Sequence, residues 1–409
     1  MGSFSIAKMR GDFHLDEGLV ADILARLPAK SVLRLRAVCK DWLRITLCPL
    51  FVAAHARRSP LEIFLYTTKT TVASVDLTEI DAVDFSTDDR PAPRRHLARY
   101  PAKAELPPRY GPRQYCSLLA SCDGLLLLRN GNLADGDARE QYLVCNPVTR
   151  QWTDLPRLRL SRNVEVRQRG SGFYFHEPSG EYRLLCHITF TVGQRAPCYC
   201  ILSTGADGPR RLSVQATPID NRIASNLLFG NLMSPAVLHW LKHMEGGAAD
   251  QMVAFDTVAE TFWQMPPPPV TCREHSNLFV ADGSLMASEL GHLFVDLWVL
   301  DGYVCATATG EEITWERRHR VELTWHVQMS WQDDRLLLAA GGDRGDVVLG
   351  THHGVVAYNL RSGAVRQVDR ASRGDTISPS RRVFRGSLVR HGFFDARPHP
   401  GLPLFRFCA

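Results

Sequence analysis

A hairpin that recurs along most of the chain constrains its fold more than any other feature. In Cys145-Asn146-Pro147-Val148-Thr149-Arg150-Gln151-Trp152 an apolar strand ends, an Asn-Pro turn reverses it, and an aromatic residue opens the return strand ahead of Leu155-Pro156. Phe255-Asp256-Thr257 repeats this grammar, with Phe262, Met265 and Pro266 at the offsets of Trp152, Leu155 and Pro156. Tyr358-Asn359 repeats it again, with Ser362-Gly363 for the turn and Val365 and Val368 on the return. Weaker copies lie at Leu202-Ser203 and at Leu300-Asp301, with Trp315 beyond. Successive copies stand about 45 to 58 residues apart, a period suited to four-stranded propeller blades. Such a unit cannot cover both its apolar faces alone, so the repetition predicts blades stacked into a ring.

Short apolar runs between turn residues support strands beyond Pro60. They include Glu62–Tyr66, Gly124–Leu128, Tyr182–Cys186, Ala236–Leu241 and Arg335–Leu338. Residues 60–409 hold about six to seven blades, and six candidates are countable. The segment from Arg382-Val383-Phe384-Arg385 to Phe405-Arg406-Phe407 is expected to supply a strand that closes the ring. Residues 86–115 carry Arg90, Arg94, Arg95, Arg99, Lys103, Arg109 and Arg113 among prolines and read as a basic, solvent-exposed loop. Pro266–Pro269 is a short polyproline connector.

The N-terminal part obeys a different period. After a tail at residues 1–13, residues 14–58 read as a helical module. Leu19, Val20, Ile23, Leu24 and Leu27 fall at helical spacing over residues 16–27, and Pro28 ends that helix. Asp16 is placed to cap it, and Ser31 to cap a second helix carrying Val32, Leu33 and Leu35. A third helix would align Val38, Trp42 and Ile45, widened by Cys39 and Leu43. Three helices this short cannot bury all these groups against one another. Covering Ile23, Leu27 and Leu33 with a partner would gain roughly 1.5–3 kcal/mol apiece, and Trp42 would add an aromatic anchor.

Leu15-Asp16-Glu17-Gly18-Leu19-Val20, Ile23-Leu24, Leu27-Pro28, Ser31–Arg36 and Val38-Cys39-Lys40-Asp41-Trp42 together resemble the F-box. Asp16 stands where that family usually carries proline, and Val32 where it usually carries leucine. The stretch from Cys122-Asp123-Gly124 to Trp152, with Leu238-His239-Trp240-Leu241 and Phe255-Asp256 later, is similar to the F-box-associated, kelch-like domain of plant F-box proteins. The resemblance implies a mainly β chain: a three-helix F-box followed by a kelch-like β-propeller of about six to seven blades. It also implies docking on the Skp adaptor, and through it on cullin and RING subunits of a ubiquitin ligase, with the propeller holding a target protein. The implied adaptor-binding residues are Leu15, Leu19, Ile23, Leu24, Leu27, Pro28, Leu33, Val38, Cys39 and Trp42. No residue is expected to act as a catalyst, and no cofactor or metal is expected.

Composition narrows the alternatives. With 45% hydrophobic and 22% charged residues the chain reads as globular, and a net charge of +5 is too mild to imply nucleic acid. No apolar run approaches the roughly 18 residues of a membrane span, no signal peptide is apparent, and a cytosolic or nuclear protein is expected. The 11 cysteines lack a disulfide framework and read as reduced core thiols. His239 and His243 are spaced like helical zinc ligands but lie in a strand-like run, and Gly170-Ser171-Gly172 reads as a turn. Asp123-Gly124, Trp152 and Trp240 read as turn and core residues of blades. One rival from another class stays open: a propeller lectin or enzyme with a helical cap.

Overall fold

The computed structural model describes residues 16–71, 74–84, 94–99, 114–132, 141–157, 166–190, 198–212, 231–232, 237–242, 251–270, 276–290, 294–301, 313–322, 337–339, 345–351, 354–370, 375–396 and 406–407. It divides into a helical unit, Met1–Ser59 with Gly386–Arg390, and a β unit, Pro60–Arg385 with His391–Ala409. Leu15, the tail and His243 lie outside the described residues, as do Arg90, Lys103, Arg109 and Arg113.

The helical unit holds α1 (Glu17–Ala25), α2 (Ala29–Leu35), α3 (Lys40–Leu47) and α4 (Pro49–Arg58). Three helices were expected; the fourth starts at Pro49, whose fixed φ and missing N–H suit a first helical turn. Asp16 caps α1, its Oδ2 accepting from the Leu19 N–H at 3.2 Å. Ser31 does not cap α2. The cap position is Pro28, and the Ser31 N–H already donates to the Pro28 carbonyl at 2.8 Å, so Ser31 lies inside the first turn. Val38 likewise precedes α3, which Cys39 caps through a sulfur accepting from the Trp42 N–H.

The β unit is a six-bladed propeller of antiparallel sheets. Blade 1 contains β1 (Glu62–Thr71), β2 (Ser74–Asp84) and β3 (Arg95–Arg99). Blade 2 is β4 (Gln114–Cys122), β5 (Leu125–Asn132), β6 (Gln141–Asn146) and β7 (Gln151–Asp154). Blade 3 is β8 (Val166–His176), β9 (Glu181–Phe190), β10 (Cys198–Ser203) and β11 (Arg210–Arg211). Blade 4 is β12 (Asn231–Leu232), β13 (Val237–Lys242), β14 (Gln251–Asp256) and β15 (Phe262–Met265). Blade 5 is β16 (Ser276–Ala281), β17 (Ser284–Leu290), β18 (Phe294–Asp301) and β19 (Thr314–Glu322). Blade 6 is β20 (Leu337–Ala339), β21 (Asp346–Thr351), β22 (Gly354–Asn359) and β23 (Val365–Arg370).

The two ends of the chain close the ring in blade 1. There β24 (Asp375–Phe384) pairs with β1, setting Val383 opposite Ile63, and β25 (Arg406–Phe407) pairs with the far side of β3. The short helix α5 (Gly392–Ala396) buries Phe394 between blades 2 and 3.

Strand alternation explains why the inner strands are apolar without interruption. Leu125 and Leu127 face Leu184 and Cys186 of blade 3, whereas Leu126 and Leu128 face Phe64 and Ala82 of blade 1. Met252 and Ala254 meet Leu285 and Ala287 of blade 5, while Val253 and Phe255 meet Leu185 and Tyr199 of blade 3. Each blade thus supplies apolar side chains to both neighbours.

The repeated hairpin has a single physical basis. Asn146 Oδ1 accepts from the N–H groups of Val148 and Thr149 at 2.9 and 3.2 Å. Asp256 does the same for Val258 and Ala259 at 2.7 and 2.8 Å, and Asn359 for Arg361 and Ser362 at 3.1 and 2.9 Å. Four residues after each of these side chains the backbone turns left-handed, at Arg150 (φ 58°), Glu260 (φ 54°) and Gly363 (φ 71°). Asp123-Gly124 joins β4 to β5 with two positive φ values, as a two-residue hairpin requires, and Asp282-Gly283 does so between β16 and β17.

Three expectations need correction. Residues 86–115 are not one exposed loop: Arg95–Arg99 form β3 on the register of β2, Arg94 pairs with Asp369 at 2.7 Å, and Arg95 pairs with Glu62. Gly170-Ser171-Gly172 is no turn but a bulge within β8, and a Cβ at Gly172 would stand 2.4 Å from Leu238 Cδ1. Cys145, Cys186 and Cys200 are core thiols, but Cys39 and Cys48 are exposed in the helical unit.

Candidate functional site

Helix α1 sorts its apolar residues into two stripes. Val20, Leu24 and Ala25 turn inward and join Val32, Ile45 and Phe51 as the buried apolar side chains of the four helices; Leu388 of the Gly386–Arg390 segment is buried as well. Leu19 and Ile23, one position back on the helical wheel, turn outward and are 50% and 48% exposed. The unit therefore has a filled interior and an apolar exterior at once.

Ion pairs tie α1 to the others. Arg44 of α3 donates from both terminal nitrogens to Glu17 at 2.9 Å, and this pairing holds the Glu17 carboxyl below its ordinary value. Asp22 receives Arg26 at 2.6 Å and Arg58 of α4 at 2.9 Å. Arg36 donates to the Thr46 hydroxyl at 3.3 Å and carbonyl at 3.0 Å, and burial pushes its own pKa down.

The residues named from sequence divide accordingly. Leu19, Ile23, Pro28, Val38 and Cys39 are exposed, with Val38 at 61%; Leu27, Leu33 and Trp42 are half-buried. Leu24 is 1% exposed and cannot touch a partner directly; its helical position points it into the unit's own core. Sequence reasoning left out Leu47 and Leu50, exposed on either side of Pro49, Leu50 at 81%. Paired leucines flanking a helix-starting proline, on a segment already ending in helix, were the available signal. An exposed apolar surface of this kind on a filled core marks a protein-binding face.

The propeller residues singled out from sequence are structural. Trp240 is buried between blades 3 and 4, and Trp152 packs on the core between blades 1 and 2. His239 is buried in β13. A polar cluster joins blades 3 and 4: Glu260 receives Arg183 Nη1 at 2.6 Å, a terminal nitrogen of Arg210 at 2.7 Å and the Tyr174 hydroxyl at 3.3 Å. Burial, then the Glu260 charge, raises the Tyr174 pKa far above its ordinary value, so this phenol stays a donor. Among the described residues no group of three or more His, Cys, Asp or Glu could hold a metal, and no helix is long and apolar enough to cross a membrane.

Comparison with known proteins agrees with this geometry. Residues 13–51 match the F-box domain. A putative F-box/kelch-repeat protein of Arabidopsis thaliana is 26% identical over 324 residues, covering 76% of this chain and 73% of its own length. An F-box protein of the same plant is 23% identical, covering 73% of this chain and 72% of its own. Among solved structures, a chain from a nidogen/laminin complex aligns at TM-score 0.44 and 8% identity, over 80% of this chain and 99% of that one. The chain thus carries a region that matches the F-box domain, followed in sequence by a six-bladed propeller, and over about three quarters of its length it is similar to plant F-box and F-box/kelch-repeat proteins.

Proposed function

We propose that this protein is the substrate-recognition subunit of an SCF-type cullin-RING ubiquitin ligase. The helical module, residues 14–58, docks on the Skp adaptor through Leu19, Ile23, Leu27, Pro28, Leu33, Val38, Cys39 and Trp42, with Leu15 preceding them. The propeller, residues 60–409, holds a target protein. The chain itself contributes no catalytic group. It raises the concentration of target near activated ubiquitin to about the millimolar range, which turns an encounter between molecules into an event within one complex. Its place of action is the cytosol or nucleus.

The observation that carries this reading is that Leu19 and Ile23 on α1, and Val38 in the turn before α3, are exposed while Leu24, Val32 and Ile45 already fill the interior of the same unit. A helical cap that served only its own propeller would have no use for such apolar groups left in water. The test is a pull-down with a purified Skp adaptor. The native chain should be retained and a Leu27→Ala/Pro28→Ala double variant released; equal retention of both, or of neither, would overturn the assignment.

A further inference from the structure

The corner between α1 and α2 poses a hydrogen-bonding problem. In a continuous helix the Leu27 carbonyl would accept from the N–H of Ser31. Here that N–H donates to the Pro28 carbonyl at 2.8 Å, and the Val32 N–H does so at 3.1 Å. The Leu27 carbonyl is thus an orphan at a helix end, beside a half-buried side chain.

His55 resolves it from α4. Its Nε2 lies 3.0 Å from the Leu27 carbonyl oxygen, and the residue is 2% exposed. A carbonyl can only accept, so Nε2 carries the proton and Nδ1 is left as an acceptor. The Ser59 hydroxyl sits 3.4 Å from Nδ1 and 3.0 Å from the His55 carbonyl, one turn further along the chain. Burial draws the imidazole's pKa below its ordinary value; the hydrogen bond to Leu27 opposes this and the Arg36 charge adds to it, so the balance favours the neutral form that this arrangement uses. Phe51, one turn back on α4, packs its ring 6.1 Å from the imidazole.

We infer that His55 is a positioning residue for adaptor docking: by donating to the Leu27 carbonyl it fixes the Leu27–Pro28 corner of the docking ridge. The inference rests on the docking function proposed above. It also extends the working docking module past residue 51, where the F-box match ends, to Ser59. Neither His55 nor Ser59 need touch the adaptor.

The test uses the full-length chain and two substitutions. His55→Gln keeps an N–H donor at the reach of Nε2, whereas His55→Leu keeps the bulk and removes the donor. Affinity for the Skp adaptor should fall about tenfold in His55→Leu and stay within about threefold of native in His55→Gln. Native affinity in both variants, or an equal loss in both, would overturn the hydrogen-bond role. Nitrogen NMR of His55 in the native chain should find Nε2 protonated and Nδ1 bare; the opposite tautomer would overturn it as well. If the native chain fails to bind the adaptor, the docking function itself falls. Amide exchange then decides on the corner alone: Leu27 and Ser31 should exchange faster in His55→Leu only, and unchanged exchange counts against it.

Discussion

Glu260, in the turn that ends the third strand of blade 4, receives a 2.6 Å hydrogen bond from Arg183 on the second strand of blade 3. Both side chains are only 13% exposed, so the pair is a clasp between blades rather than a surface contact. Glu260 holds this place with a left-handed backbone, φ 54°, which costs a residue with a Cβ about 1–2 kcal/mol. The Asx turn begun by Asp256 creates that strained position, and the two arginines of blade 3 reward a carboxylate there.

Glu260→Ala should therefore destabilise the chain by about 1.5–3 kcal/mol, because it removes the shorter of the two carboxylate contacts of a largely buried guanidinium, which keeps only Glu181 at 3.4 Å. Glu260→Gly should be less harmful by about 1 kcal/mol, since it loses the same pair but releases the backbone. Urea unfolding of the two variants checks the order. A less stable glycine variant would remove backbone strain from the account.

Gly172→Ala should cost about 1–3 kcal/mol by overpacking. Its Cβ would press on Leu238 Cδ1 at 2.4 Å and on Trp240 Cζ2 at 3.3 Å, both in blade 4. Adding Leu238→Ala opens the space, so the double variant should be more stable than the sum of the single costs predicts. Simple additivity in a thermal double-mutant cycle contradicts this packing.

Asp296 sets an acid limit. Hydrogen bonds from Arg320 at 2.6 Å, with Arg317 at 3.5 Å, hold its buried carboxyl below the ordinary value near 3.8. A depressed carboxyl contributes stability that is present above its unfolded value and is lost as pH falls through the folded one. Asp296→Asn should therefore lower stability at neutral pH by about 1–2 kcal/mol, toward the lower end because Arg320 is 45% exposed. It should also flatten the loss of stability below about pH 4. Urea midpoints from about pH 2 to about pH 6 measure it, and identical slopes for variant and native chain refute the coupling.

Ile23 and Leu24 are neighbours with opposite duties. Ile23→Asp should abolish adaptor binding while leaving the melting temperature nearly unchanged, since the side chain is half exposed. Leu24→Ala should instead cost about 2–5 kcal/mol of stability through a cavity. Calorimetric binding alongside thermal melts separates the two, and an inverted outcome means the stripes are misassigned.

Ring closure depends on β24. The Phe384 ring stands 5.2 Å from Phe64 of β1, and the two residues join the same buried cluster. Phe384→Ala should cost about 3–5 kcal/mol. Hydrogen exchange should quicken in β1 before it does in blade 4, and uniform protection across both would argue against blade 1 as the seam.

Much of the fold could be read from short-range signals. Asn146, Asp256 and Asn359 mark their hairpins because an Asx side chain closes its own turn within three residues. Leu19, Val20, Ile23 and Leu24 mark α1 by spacing alone. Other parts could not be read in this way. Arg94 and Arg95 looked like loop charges because their acids, Asp369 and Glu62, are distant in sequence or on another strand. Leu24 looked like a docking residue because helical spacing reveals an apolar stripe but not which half of it the other helices cover.

By itself the sequence determined the repeat period, the turn chemistry and the helical character of residues 16–58, because these depend on groups a few bonds apart. Tertiary structure alone decided the partners and register by which β24 and β25 flank β1–β3, that Glu260 clasps Arg183, and that His55 completes the end of α1. Those contacts join groups far apart along the chain, and only the closed fold brings them within hydrogen-bonding distance.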